Sequence, residues 1–416
     1  MREMKESGVE WIGKIPNSWA SDKVKYHFSN TKRIVGTKVN EYQRLALTLK
    51  GVIKRSKDDN EGLQPSEFRG YQILKNGELV FKLIDLQNTA TSRVGLSSYT
   101  GIVSPAYIVL NGKDSIVPSF AEKYFLSMWH RNIFNHLGDS GVRSNLNAQE
   151  LLNVSIAYPN ITEQYKIADF LDQKCSEIDA LTTDIQTQIE TLEEYKKSVI
   201  TEAVTKGLDP NVEMKDSHCF YVGLINKNWD TTKIGYFCKK MYHPVDENLI
   251  PLICSNKGKV EIRDNSLVGR MVSENHAMQG IRQGEIAIHG MDTWHGAIGI
   301  STFDGNITRV VHVCQSTGDN RFVVYYLQSL AFRNVYKLIS NGIRGNTSDF
   351  RSWELVKKIV APHPSKTEQS QIADFLDQKC SEIDQTISEK QLQLETLAEY
   401  KKSLIYEYVT GKKEVA

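Results

Sequence analysis

The side chains of this 416-residue chain that could do chemistry are scattered. His289 and His295 lie six residues apart, with His276 and His312 nearby, but the Cys or carboxylate pattern of a metal site does not accompany them. None of the six cysteines forms a CxxC pair, and Cys175 and Cys380 occupy matching places in a repeat, which suits small buried side chains rather than redox partners. A [DN]PP[FYW] string for gripping a target amino group is missing, the nearest text being Ser104-Pro105-Ala106-Tyr107. There is no GxxxxGK[ST] for a nucleoside triphosphate and no nucleophile, base and acid in persuasive context. The expectation is a non-catalytic chain that holds no metal and no cofactor of its own.

Residues suited to binding rather than bond-making fall into three matched sets. Lys50, Lys54 and Arg55 surround Gly51, as Lys257 and Lys259 surround Gly258. Gln87, Asn88 and Arg93 follow an apolar run, and Thr293, Trp294 and His295 follow its counterpart. Arg143, Ser144 and Asn145 follow Gly141, as Arg344 and Asn346 follow Gly342. Arg can grip guanine O6 and N7, and Asn or Gln can grip adenine N6 and N7, so residues of these types on loops are candidate base readers.

The elements that must position them are set by a duplication. Residues 163–205 recur as 368–410 at a constant offset of 205, with 29 of 43 positions identical. Weaker matches extend it over the whole chain: Met4 with Met214, Trp19 with Trp229, Gly77 with Gly284 and Gly95 with Gly299. Each preserved segment reads as one long helix. It opens on a capping-box pattern, Asn160 with Glu163 and Ser365 with Glu368, lacks Gly and Pro inside, and stops near Gly207 and Gly411. Leu171, Ile178, Ile185, Leu192 and Val199 recur every seven residues, with Leu181 and Tyr195 expected in a second column. Leu376, Ile383, Leu397 and Leu404 keep that spacing in the other copy, and Ile387, Leu394 and Tyr400 widen the seam. A homodimeric coiled coil would also account for such heptads. Because both helices lie in one chain and alternate with globular segments, an antiparallel pair within the chain is the better reading.

Between the helices, Glu78 to Ile84, Ala106 to Leu110, Glu285 to His289 and Arg309 to Val313 look like strands. Phe120 to Leu137 and Arg321 to Ile339 each look like one amphipathic helix. The expected fold is α+β: mixed α/β domains at 1–158 and 211–363, alternating with helices at 159–210 and 364–416, as a pseudo-twofold internal repeat.

The net charge of +1 conceals a partition. The first helix has ten acids against four bases and the second nine against four, which leaves +12 for everything else. DNA would be repelled by the helices and attracted by the domains. No apolar run long enough to span a bilayer and no signal peptide is read, which points to the cytoplasm.

The opening text KESGVEWIGKIPNSW, the strand text GELVFKLIDLQ with GIVSPAYIVL, and the twice-used EQ..IADFLDQKCSEID resemble the specificity subunits of type I restriction-modification systems. The resemblance covers essentially the whole chain. It departs in the second domain, where Thr308-Arg309-Val310-Val311 stands in place of the familiar Ser104-Pro105-Ala106-Tyr107 and the Gly-x-x-Trp of the first opening is lost. It implies that each domain reads one half of a bipartite, asymmetric site in double-stranded DNA while the helices set the gap and dock two methyltransferase subunits. These would supply S-adenosylmethionine-dependent adenine methylation, and two restriction subunits would supply ATP- and Mg-dependent translocation and cleavage. A stand-alone DNA-binding adaptor or regulator of the same architecture is the second reading.

Overall fold

Long stretches free of Gly and Pro and rich in Glu, Gln, Lys and Leu give two long helices, Ile161–Lys206 and Lys366–Val409. The structure, a computed structural model, describes residues 2–59, 67–84, 86, 92–137, 145–263, 278–340 and 349–415. Asn160 Oδ1 accepts the Glu163 N–H at 3.0 Å, and Ser365 Oγ accepts the Glu368 N–H at 3.3 Å. The glutamate side chains do not complete the expected capping boxes. They turn to the indole N–H groups of Trp19, at 3.3 Å, and Trp229, at 2.8 Å. Both rings are buried and need an acceptor for their single polar atom.

Each helix stops at a glycine with positive φ, Gly207 at +85° and Gly411 at +69°. A Cβ on Gly411 would lie 2.5 Å from Pro16 Cδ and 3.2 Å from Trp19 Cζ2, and one on Gly207 would lie 3.1 Å from Trp229 Cζ2. Each tryptophan is therefore held between the Glu that opens one long helix and the Gly that closes the other. The Gln beside each Glu is also buried: Gln164 accepts the Val117 N–H at 2.8 Å and Gln369 the Asp319 N–H at 3.1 Å.

Two compact units result, and their boundary falls inside the helices: Met1–Ile185 with Leu392–Ala416, and Gln186–Gln391. Each unit holds one globular part, the first half of the helix that follows it and the second half of the other helix. In the first unit the helical halves run antiparallel, with Lys401 on Asp179 at 2.6 Å and the rings of Phe170 and Tyr408 4.5 Å apart. The second unit makes the equivalent ion pair, Lys196 on Asp384 at 2.7 Å, and Lys390 reaches Gln188. Leu171, Ile178, Ile185, Leu376, Ile383, Ile387 and Leu404 are buried, and Leu192, Val199, Leu394 and Leu397 half-buried.

The second column of the seam lies elsewhere than expected. Leu181 is 47% exposed, Tyr195 49% and Tyr400 54%. A seam steps alternately by about three and about four residues. The step of four from Leu171 reaches Cys175, and the following ones reach Thr182 and Ile189, with Cys380, Ile387 and Leu394 in the other copy. Polar Thr182 and Lys196 disguise that column in the sequence.

One plan serves both globular parts. In the first, Ala20–Lys23 pairs with Ser155–Tyr158, directly before the long helix. Phe28–Ser29, Ile108–Gly112, Leu79–Phe81 and Val94–Leu96 form a four-stranded sheet. The hairpin Arg44–Thr48 and Gly51–Arg55 joins Gly101–Val103 and Gln72–Leu74 in another. In the second, Asp230–Lys233 pairs with Val360–His363, and Cys238–Lys240, Val311–Ser316, Ile286–His289 and Ile298–Ile300 form the equivalent sheet. Where one helix was expected in each part there are two, Pro118–His130 with Ile133–Leu137 and Asn320–Phe332 with Val335–Ile339. Asn132 and Asn334 break them at φ of 58° and 56°, a left-handed conformation that Asn tolerates better than most side chains. The fold is thus α+β, with domains and long helices alternating along the chain.

Gly411→Ala should destabilise the protein by about 1–3 kcal/mol, since it meets both a left-handed φ and Pro16. Hydrogen exchange should show the loss of protection in the first unit, including residues near Trp19. Burial, with Lys402 and Lys401 adding to it, pushes His130 down to about 4. Below pH of about 6.5 the unfolded chain takes up a proton that the folded chain refuses, so stability falls between about 6.5 and about 4. His130→Gln should flatten that part of the pH profile of denaturant midpoints.

Candidate nucleic-acid interface

In the first unit Leu146 N–H donates to the Leu83 carbonyl at 2.9 Å. This bond draws Asn145 onto the end of the strand Leu79–Phe81, beside a cavity of about 320 Å³. Asn30, Lys32, Ile84, Tyr107 and Asn145 line it. Buried Gln72 fixes the opposite wall, donating from Nε2 to the carbonyls of Ser104 at 3.0 Å and Tyr107 at 2.6 Å. Burial pushes the Tyr107 phenol up, while Arg93, Arg44 and Arg55 lie near enough to pull it back. The lining brings together the Lys32 ammonium and the amides of Asn30 and Asn145, groups that suit phosphate and the edges of bases. Asn30 and Lys32 escape a loop-by-loop reading of the sequence. The polar run Ser29-Asn30-Thr31-Lys32 after an apolar segment is the sign that could have found them.

Lys50 is exposed at the turn of the hairpin whose other end holds the paired Arg44 and Arg55, so it stands apart from the cavity. Lys54 Nζ lies 4.7 Å over the Tyr99 ring. Arg55 is half-buried and bonded to Asp59 at 2.6 Å. Arg93, expected as a base reader, is 0% exposed: it leads into the buried strand Val94–Leu96, and its carbonyl accepts the Lys82 N–H. Gln87, Asn88, Arg143, Ser144, Arg344 and Asn346 lie outside the described residues.

In the second unit Lys257 and Lys259 are exposed on either side of Gly258, whose carbonyl accepts from Gln328 Nε2 at 3.3 Å. Thr293, also expected at the interface, is buried because the short turn Thr293–His295 packs on the helices Asn320–Phe332 and Val335–Ile339. Trp294 lies under Lys337, 4.5 Å from its ring, and exposed His295 stacks on Trp294 at 3.5 Å. Where the first unit has Ile108 and Pro105 beside the cavity, the second has His312, bonded to the Phe350 carbonyl at 2.6 Å, and Arg309, bonded to that of Met278 at 2.9 Å. The same frame carries two differently furnished surfaces. His289 Nδ1 faces the backbone N–H of Asp292 at 3.1 Å, so His289 and His312 both bond to backbone, and burial lowers both pKa values.

The family described as the type I restriction modification DNA specificity domain matches residues 50–191. A putative type I restriction enzyme MjaX specificity subunit of Methanocaldococcus jannaschii is 26% identical over 313 residues, covering 72% of this chain and 69% of that protein. The MjaVIII specificity subunit of the same organism is 23% identical over 362 residues, covering 82% and 80%. The chain is thus similar, over most of its length, to specificity subunits of type I restriction enzymes. A solved structure of complex assembly and conformational transition in a type I R-M system contains a chain of the same fold, with a TM-score of 0.72 at 13% identity over 96% of this chain and 99% of that one. The HsdS subunit from Thermoanaerobacter tengcongensis gives 0.51 at 14% identity, over 96% and 98%. Among the described residues no helix is long and apolar enough to cross a membrane.

If this surface meets DNA, replacing Asn30 and Asn145 by Ala should weaken or relax sequence recognition, by about 1–3 kcal/mol for each side chain that grips a base through two hydrogen bonds. Selection from randomised duplexes would register it. Arg93→Ala should act first on stability, read as a lowered denaturant midpoint of the first unit.

Proposed function

We propose that this chain is a specificity subunit of a type I restriction-modification system, that it reads a bipartite, asymmetric site in double-stranded DNA, one half with each globular part, and that its helices set the gap and dock two methyltransferase subunits. The observation that supports two equivalent docking faces is the repetition of solvent-facing helix residues. Gln173, Lys174, Ser176 and Glu177 recur as Gln378, Lys379, Ser381 and Glu382. Their bonds repeat too: Gln173 to Glu177 at 2.9 Å and Gln378 to Glu382 at 3.0 Å, Lys174 to Glu177 at 2.7 Å and Lys379 to Glu382 at 3.2 Å. Core packing explains why the seam is kept, but it places no demand on this outer face. A partner that binds twice does. Exposed Tyr195 and Tyr400, which repeat as well, extend the same face.

The methyltransferase subunits would bring S-adenosylmethionine and adenine N6 methylation, and two restriction subunits would bring ATP- and Mg-dependent cleavage, in the cytoplasm. In the complex, Lys174→Glu combined with Lys379→Glu should abolish co-purification of the methyltransferase while leaving the fold intact. Adenine methylation mapped in cells with and without the gene should require this chain. Inserting about seven residues into each helix, equivalent to about 10 Å, should lengthen the gap by about three base pairs and leave both half-site sequences unchanged. Changed half-site bases would overturn the ruler.

A further inference from the structure

Two domains that read different sequences still meet the same phosphodiester backbone, so contacts to phosphate can stay alike while base readers diverge. Aligning residues 22–32 with 232–242 leaves two identities in eleven positions: Lys23 with Lys233, and Tyr26 with Tyr236. The core positions between and after them have changed, Val24 to Ile234, His27 to Phe237 and Phe28 to Cys238. Retention is thus confined to side chains that packing does not need. Both lysines are exposed, and the tyrosines are 58% and 80% exposed.

Their geometry is also the same. Each lysine precedes a four-residue helical turn, Val24–His27 or Ile234–Phe237, with φ and ψ of −83° and 143° at Lys23 and −84° and 143° at Lys233. Each tyrosine is third in its turn. Further cations gather at both places, but from different residues. In the first unit Lys25 lies 5.5 Å over the Tyr26 ring, and Lys113 bonds the carbonyls of Lys25 and Tyr26 at 3.0 and 3.1 Å. In the second, Gly235 replaces Lys25, and its N–H bonds the Lys357 carbonyl at 2.9 Å, beside exposed Lys358 and Lys239. The adjacent acid Asp22 is occupied by His27 at 2.6 Å and Tyr158 at 2.9 Å, and Lys357 by Glu354 at 2.6 Å. In the first unit the chain runs on from this turn into Asn30 and Lys32 at the cavity.

We propose that Lys23 with Tyr26, and Lys233 with Tyr236, are paired phosphate-contact sites, one for the DNA backbone at each half of the target. The lysine neutralises a phosphate, the tyrosine hydroxyl donates to a phosphate oxygen, and neither reads a base. The inference rests on the reading of this chain as the DNA-binding subunit of the complex.

The test uses the assembled methyltransferase complex with Lys23→Ala, Tyr26→Phe, Lys233→Ala and Tyr236→Phe, singly and together, titrated with cognate and unrelated duplexes at several salt concentrations. Each lysine removed should make the affinity loss between about 50 and about 200 mM salt about 3.5-fold smaller. Tyr→Phe should weaken both duplexes by the same factor, and the methylated sequence should not change. Parent-like affinities and salt slopes in all four variants would overturn the proposal. So would loss of methyltransferase co-assembly with normal DNA binding by the assembled fraction, which would make the turn a protein contact. Lys23→Gln, which keeps the side-chain stem, guards against an effect through folding. If the parent complex itself showed no salt-dependent DNA binding, the functional reading would fail rather than this inference alone.

Discussion

Neither globular part can close its core with its own residues, and the rest of the architecture follows from that constraint. Trp19 and Trp229 mark the place: each buried ring needs an acceptor from the start of one long helix and a glycine surface from the end of the other. Burying a ring of this size removes on the order of 150–250 Å² of mostly apolar surface from water. A glutamate fixes the indole N–H, so the contact is directional as well as hydrophobic. Helix pairing and domain packing are therefore parts of one cooperative arrangement, and the exposed ion pairs Asp179–Lys401 and Asp384–Lys196 align helices already held by buried Leu, Ile and Cys.

Charge is distributed to match this division of labour. The helices keep their acids on the outside, where Lys174 and Gln173 hold the Glu177 carboxyl below its usual range, and Gln378 and Lys379 do the same for Glu382. The globular parts carry the positive balance, and the first unit sets Lys32 in the lining of its cavity. One frame can thus change its binding surface without disturbing the faces that must stay alike.

Periodicity and repetition are local properties of a sequence, and what depended on them was legible: the two long helices, their ends at Gly207 and Gly411, the α+β class and the buried Cys175 and Cys380. What depended on distant contacts was not. The phase of the second seam column hides behind Thr182 and Lys196, which are polar residues tolerated between helices. Arg93 and Thr293 have surface chemistry but buried places, because the direction of a loop side chain is decided by what packs on it. Asn132 and Asn334 break helices that amphipathic spacing alone would have continued. Glu163 and Glu368 have the spacing of caps, but partners far away in the sequence claim their carboxylates.

The first unit takes Leu404, Ile405 and Val409 into its core, Lys412 bonds the carbonyls of Ile12 and Lys14, and Glu414 holds Arg2. The second unit is one uninterrupted stretch, Gln186–Gln391. On a ribosome, which releases the chain from its N-terminus onward, the later-made unit has all its residues first. The earlier-made one must wait, its hydrophobic interior incomplete, until residues 392–415 have emerged.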